Sequence, residues 1–408
     1  MNFNLEKEKK FFFFYLLFLI IFSIIFLYEK HNVGNDSTIS EWLINYQGGF
    51  IRRGLIGDII FNISKFFNLK IRFVIFLFQV FFYIFFILLI FNYFKKVKLN
   101  FLSALAVYTP IFLLYPVAEK EVLARKETII FLFFLFFLMI ASKKYDKKYL
   151  NAYSILILPI TIFIWEPVVF FYTFIFFILY LKNFNGSFLK TFVKVFLIIL
   201  TSIVFFLFII LNPLGYFDHE VMCYALKNNF NEECYMSLSL LKSKSGILRQ
   251  FTDNFPVYKL QYFIRYFIIF IIGFLPLLLL SLNSNFRDLT LINNKNKNFI
   301  NILLILLTFV PICFAAMYDW GRVINISYTF SVLTFFYLIK NNIIICLNTG
   351  LIKKINIFFF KHLNFYYIFF FIYSFCWHAK TVISDKVGTI PIYKIFYKGI
   401  KSIANTFM

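Results

Sequence analysis

The sequence predicts an all-α fold, a polytopic transmembrane helical bundle of about 11 membrane segments with one larger external loop, on three observations. The 408 residues are 62% hydrophobic and only 15% charged, with a mean hydropathy of +0.82, whereas soluble domains sit nearer half apolar and a quarter charged. Apolar runs of about 18 or more residues recur along the chain, long enough to cross a bilayer as helices. The lysines fall in short clusters between those runs, as they do in the cytoplasmic loops of membrane proteins. That placement also argues against nucleic acid as a partner, despite a formal net charge of +22. The alternating ten-residue strands of a membrane barrel are missing.

The lysine clusters orient each segment. Residues 11–28 leave a cytoplasmic EKEKK cluster and run outward; with no small-residue cleavage site behind it, this run reads as a retained first helix. Residues 29–71 form a first external segment. Residues 72–94 return to KKVK, 99–116 go out, and 128–142 come back to KKYDKK. The stretch 149–182 is too long for one crossing, about 50 Å as a helix against a core near 30 Å. Pro167 removes a backbone donor, so two short helices are expected to meet at Trp165-Glu166-Pro167 on the outer side. Residues 189–211 lead to the larger external loop, 212–262. Residues 263–282, 299–317, 324–340 and 364–378 complete the count, and the apolar patch near 343–347 and the C-terminal tail lie on the surface or add a crossing. No repeat divides the chain, so 1–408 reads as a single integral-membrane domain.

Arginine is the scarce cation here, with 8 Arg against 33 Lys. Where lysine is the default, an arginine points to a need for its planar, multi-donor fork. The inside excess of Lys and Arg is modest, 20 against 16 outside and 5 in the tail. The sharper asymmetry is that 14 of 19 acids and 7 of 8 arginines fall on the expected outer face.

Four stretches there could carry chemistry. In GGFIRRGLIGD, glycines flank Arg52 and Arg53, permitting a tight turn or close backbone approach; the pair suits phosphate, or anchors the chain to lipid headgroups. In EKEVLARKE, Arg125, Lys126 and Glu127 sit at the mouth of an apolar helix, and Glu121 and Arg125 are spaced to pair along one face. Glu166, between a tryptophan and a proline amid apolar residues, is costly unless it meets a cavity or a partner; it could equally stitch the helix break by a hydrogen bond. Asp319 and Arg322, across Gly321, either close a helix end as an ion pair or put Arg322 beside the first arginines. Glu41 is a further acid on this face. His31 and His219 read as surface histidines. Cys223 and Cys234 share the 212–262 loop at a spacing that suits a disulfide in an oxidising compartment, or stay unpaired. No Cys/His spacing suggests a metal.

Such a cluster of cationic forks near the lipid–water boundary fits a ligand with a lipid tail and a diphosphate head. Arg52, Arg53, Arg125 and Arg322 are the expected diphosphate ligands, and Glu166, Asp319 or Glu41 the expected base for an acceptor hydroxyl. The residues from Gly48 to Leu55, the acid Glu166 in a broken helix, and Asp319 to Arg322 resemble the layout of Wzy-type repeat-unit polymerases of bacterial O-antigen and capsule synthesis. The resemblance implies transfer of a glycan from undecaprenyl diphosphate onto a lipid-linked repeat unit. It implies the periplasmic face of a bacterial inner membrane, no nucleotide sugar or metal cofactor, membrane lipids around the chain, and a chain-length regulator as an open question. The layout departs from that family in having one large external loop rather than two. Three alternatives stand beside it. A GT-C type glycosyltransferase using a polyprenyl monophosphate sugar would place its acid at Asp36 or Glu41. A flippase for lipid-linked oligosaccharide would carry charges along a path through the membrane. The third is a purely structural membrane subunit.

Overall fold

A computed structural model describes residues 5–32, 36–95, 97, 99–142, 147–212, 215–243, 247–287, 298–347, 350–383 and 390–407. Parts of the KKVK and KKYDKK clusters, of the 283–298 connection and of the C-terminal tail lie outside the described residues. The chain is helical almost throughout. Among the described residues, seven helical stretches are long and apolar enough to cross a membrane: Lys9–Asn32, Ile71–Phe94, Glu166–Asn183, Phe188–Leu211, Leu260–Leu282, Phe299–Ala316 and Trp320–Lys340. An eighth arises if the bent pair near the C-terminus is one span. This is a multi-pass helical architecture, and the seven or eight such helices among the described residues do not establish the 11 segments expected.

The elements follow in order. Helix α1 (Leu5–Asn32) leads to a short α2 (Ser37–Trp42), the arginine turn and α3 (Gly54–Phe66). Helix α4 (Ile71–Phe94) packs along α1. Then come α5 (Phe101–Tyr108), α6 (Tyr115–Ala118), α7 (Glu127–Ser142) and α8 (Lys147–Ile164). A 3-10 turn over Glu166–Phe171 runs into α9 (Tyr172–Asn183), and α10 (Phe188–Leu211) closes against α8. The large loop carries α11 (Tyr216–Phe230), α12 (Ser237–Ser243) and α13 (Ile247–Asn254). Helices α14 (Leu260–Leu282), α15 (Phe299–Leu306), α16 (Val310–Ala316) and α17 (Trp320–Lys340) complete the main bundle. Helices α18 (Gly350–Lys361) and α19 (Leu363–Phe375), bent by 109° at their break, and α20 (Pro391–Phe407) follow.

One expectation is corrected, and of the two alternatives left for 343–347 the crossing is removed. Residues 99–116 are not one crossing helix. Thr109-Pro110 stops α5, because proline lacks the N–H a helix needs and restricts the residue before it. The irregular stretch that follows is buried, which a membrane protein tolerates only where its own groups satisfy the freed carbonyls. Asn325 does so, donating to Ile111 O at 2.8 Å and Phe112 O at 3.0 Å, and the Tyr328 hydroxyl donates to Ala106 O at 2.6 Å. The apolar patch near 343–347 is neither helix nor crossing. Strand β2 (Ile344–Cys346) pairs antiparallel with β1 (Ser284–Phe286), Asn285 opposite Ile345. The break at Trp165-Glu166-Pro167 falls where proline places it.

Helix α17 is the centre of the bundle. Every residue from Trp320 to Leu338 is buried. Most of its hydroxyl and amide side chains bond within the helix or to its neighbours, as Asn325 and Tyr328 do, while the buried Thr334 hydroxyl makes no hydrogen bond among the described residues. The tail helix α20 lies against α1, its Phe396 ring meeting Phe18 and Phe22. In the large loop Cys223 and Cys234 are joined as a disulfide, Cα atoms 5.5 Å apart. Arg72 at the start of α4 grips Glu232 of the same loop through two hydrogen bonds of 2.7 and 2.6 Å.

Candidate functional site

The arginine turn is set by backbone geometry. Gly49 and Arg53 both have positive φ, +118° and +64°. A non-glycine residue in that region costs about 1–2 kcal/mol, so Arg53 must be held there. Two contacts hold it. Its guanidinium grips Glu166 with Nε at 2.8 Å from Oε2 and Nη2 at 2.7 Å from Oε1. Its carbonyl accepts from the buried Lys126 ammonium at 2.5 Å. Gly48 leaves room for α11, since a Cβ there would run into the Asp218 carbonyl. At the start of α17, a Cβ on Gly321 would strike the Lys380 carbonyl.

Around this turn the structure brings all seven singled-out charges together. Glu41 has Arg322 at 3.4 Å, Arg53 at 3.6 Å and Arg125 at 3.7 Å. Asp319 receives Arg125 at 3.3 Å and Arg322 at 3.2 Å, both on Oδ2. Arg52 stands 3.7 Å from Glu166. The sequence spacing pointed to Arg125 with Glu121 and to Asp319 with Arg322. The second pair forms, while Arg125 turns instead to Asp319, Glu41 and the Ser37 hydroxyl.

Two members had no expected role. Glu127 accepts a hydrogen bond from Arg322, and Lys126 is fully buried beneath the turn. Arg52, Arg53, Arg125, Lys126 and Arg322 thus face Glu41, Glu127, Glu166 and Asp319, with the exposed Glu121 a fifth acid on the cavity wall. The Arg322 guanidinium also lies over the Trp165 ring, 5.8 Å from its centroid. Several polar atoms here make no hydrogen bond: Glu41 Oε2, Arg125 Nε, Glu127 Oε2, Arg322 Nε and Trp165 Nε1.

The electrostatics follow from burial against pairing. Burial pushes the Glu41 carboxyl up, but Arg322, Arg125 and Arg53 outweigh it and hold it at about 2. Burial pushes the Lys126 ammonium down to about 7, with Glu41 opposing and Arg53 reinforcing. Burial lowers Arg52 to about 10, against the pull of Glu166. The Asp319 carboxyl is raised, by burial first, with Arg125 opposing and Glu41 and Glu121 adding to the rise.

The cluster opens into a cavity of about 800 Å³. Glu41, Arg52, Arg53, Arg125, Asp319 and Arg322 form one wall, and Ser237, Leu240, Leu241 and Asn254 from the α12–α13 segment form the other. Of the four carboxylates, Asp319 has the most open side chain, 23% exposed against 2–8% for the others.

The loop bearing Asp319 is pinned from outside. Ile383 N donates to Tyr318 O at 3.1 Å, and Gly321 N donates to Thr381 O at 3.2 Å. That strap is itself tied to a buried cluster the sequence did not reveal, in which Glu119 binds His378 at 2.7 Å and Lys394. Asp36 caps α2, accepting from Thr38 N at 2.8 Å, and pairs with Lys30 at 3.4 Å. Asp36 and Glu41 are thus both committed to cations or a cap, a poor donor set for a divalent metal in the first external segment. His219 is buried rather than on the surface; it bonds Leu238 O at 3.0 Å and lies beside both sulfurs of the disulfide. That spacing would suit a metal only with free thiolates, which the disulfide removes.

No family model matches the chain, and no curated protein and no solved structure matches it.

Proposed function

We propose that this cavity is the active site of a membrane glycosyltransferase that moves a glycan from a polyprenyl diphosphate onto a lipid-linked acceptor, as the Wzy-type repeat-unit polymerases do. The observation that carries the reading is the meeting of four arginines, Arg52, Arg53, Arg125 and Arg322, with the partly open Asp319 carboxylate on the wall of one cavity, which the exposed Glu121 also lines. The cations neutralise charge on the departing diphosphate. Asp319 takes the proton of the acceptor hydroxyl, since burial raises its carboxyl toward the range of a useful base. Glu166 is a brace rather than a base, because Arg53 occupies both of its oxygens. Glu41, held near 2 by three arginines, is a poor base and an effective spacer between them.

A GT-C enzyme with a metal-holding acid pair in the first external segment is the weaker reading, since Asp36 and Glu41 are already engaged. A flippase would need charges strung through the bundle. The site charges instead collect at one end.

The test is Asp319→Asn in cells or membranes that make the polymer. The expected result is loss of long-chain product by a factor of about 10²–10⁴, with single lipid-linked units accumulating and the variant present at normal level in the membrane. A wild-type chain-length ladder from that variant would remove Asp319 from the mechanism.

A further inference from the structure

At the other end of the bundle, α8 and α10 leave a groove of about 620 Å³ between them, within the usual range of ligand sites, about 300–1,000 Å³. Its walls are aliphatic, from Ile155, Leu189, Val193 and Leu197, and these side chains are exposed. Two ammonium groups border it, Lys190 and Lys194. They stand four residues apart on α10, so both project from one face about 6 Å from each other. Neither forms an ion pair or hydrogen bond with the described residues.

The position matters as much as the composition. Helix α10 begins at Phe188, so both lysines fall within its first two turns, about 10 Å along the axis. A spanning helix has its first turns at headgroup depth, and lysines there extend toward the interface. The aliphatic groove continues from them toward the bilayer interior. One kind of molecule matches that arrangement, an amphiphile with an anionic head at the lysines and an acyl chain along the groove. A zwitterionic head would bring its own cation against two unpaired ammonium groups, whereas a net-negative head would not. The same end of the bundle is the one whose lysine clusters mark it as cytoplasmic in the sequence, where anionic lipids attract basic residues.

We infer that the α8–α10 groove is a binding site for an anionic phospholipid of the phosphatidylglycerol class, held by Lys190 and Lys194. This inference does not depend on the reaction assigned to the opposite end.

The experiment measures lipid retained by the purified full-length protein, by native mass spectrometry, after exchange into micelles containing phosphatidylglycerol or phosphatidylcholine. Wild type is expected to retain phosphatidylglycerol in preference. Lys190→Gln and Lys194→Gln should each weaken retention about fivefold, and the double variant about thirtyfold. Both side chains are exposed, so the variants keep their fold, checked by circular dichroism and gel filtration. Lys353→Gln with Lys354→Gln on α18, an exposed pair remote in sequence, is the control for general surface charge and should leave retention unchanged. Equal retention of the two lipids overturns the inference, as does equal loss from the control pair. A dimer that dissociates in the Lys190/Lys194 variant would also overturn it, by placing a second copy of the chain in the groove.

Discussion

Replacing Glu166 by glutamine tests whether the arginine turn is held by a buried brace. The substitution keeps shape and hydrogen-bonding capacity but removes the charge opposite Arg53. The two hydrogen bonds of 2.8 and 2.7 Å and side-chain exposures of 22% and 8% make this a largely desolvated bidentate pair. Removing one partner of such a pair costs about 3–5 kcal/mol, because the other charge is left uncompensated. Glu41, 3.6 Å from Arg53, supplies partial compensation, which places the expectation at the low end, about 3 kcal/mol. The released turn must still hold Arg53 at a φ of +64°. The assay is a double-mutant cycle of Glu166→Gln with Arg53→Met, read as unfolding free energy in mixed micelles. A coupling of about 1.5–3 kcal/mol is expected. The exposed Lys242–Glu220 pair at 3.6 Å, with side chains 40% and 50% exposed, should couple by no more than about 1 kcal/mol. Equal, small coupling for both pairs would refute the brace.

Two further predictions follow from the same geometry. Lys126, pushed down to about 7 by burial, adds its positive charge to the cluster only below that pH. Anion binding should therefore weaken as pH rises from 6 to 8, and Lys126→Met should flatten the profile. Its folded pKa is below its unfolded value, so the unfolded chain binds more protons between about 7 and 10.5, and stability should rise more steeply across that window in wild type than in the variant, Lys30, lowered to about 8, contributing to both; equal slopes in the variant, measured by thermal unfolding against pH, would refute this. Replacing Cys223 and Cys234 by serine should cost about 2–3 kcal/mol, the loop being 11 residues long, with a matching fall in melting temperature.

How much of this was legible depends on how local each signal is. Hydropathy is local, so α4, α10 and α14 emerge almost at their expected bounds. The failure at 99–116 is instructive, because the run is as apolar as its neighbours. What turns it into irregular buried backbone is Asn325 and Tyr328, more than 200 positions away, supplying the donors its carbonyls lack. Strand β2 was equally hidden, since three apolar residues have no period. Four arginines and three acids of the site stood out because arginine is scarce in this chain. Lys126 and Glu127 fell in one of the candidate stretches but drew no role, because lysine is the default cation and their partners, Arg53 and Arg322, lie far away in sequence. The Glu119–His378–Lys394 cluster was beyond reach, with its first two members 259 residues apart.

The pairing of the arginines bears on how an anion could bind at all, because each guanidinium already faces a carboxylate. The contacts are unequal. Arg53 and Arg322 are structural, since removing Arg53 leaves Glu166 only Arg52 at 3.7 Å, and removing Arg322 strips Glu127 of the arginine it pairs with. Arg52 and Arg125 are different. Without Arg52, Glu166 keeps its two bonds to Arg53; without Arg125, Glu41 keeps Arg322 and Arg53, and Asp319 keeps Arg322. These two can therefore swing to a diphosphate without stranding a buried acid, Arg125 giving up its Ser37 hydrogen bond of 3.1 Å as it does so. The expected outcome is a division of labour. Arg52→Gln and Arg125→Gln should each weaken binding of a short-chain polyprenyl diphosphate by roughly tenfold or more, the worth of one charge-assisted hydrogen bond, with melting temperature nearly unchanged. Arg53→Gln and Arg322→Gln should instead lower the melting temperature. If all four behaved alike in both measurements, the arginines would form one undivided network, and no pair among them could be assigned to the ligand.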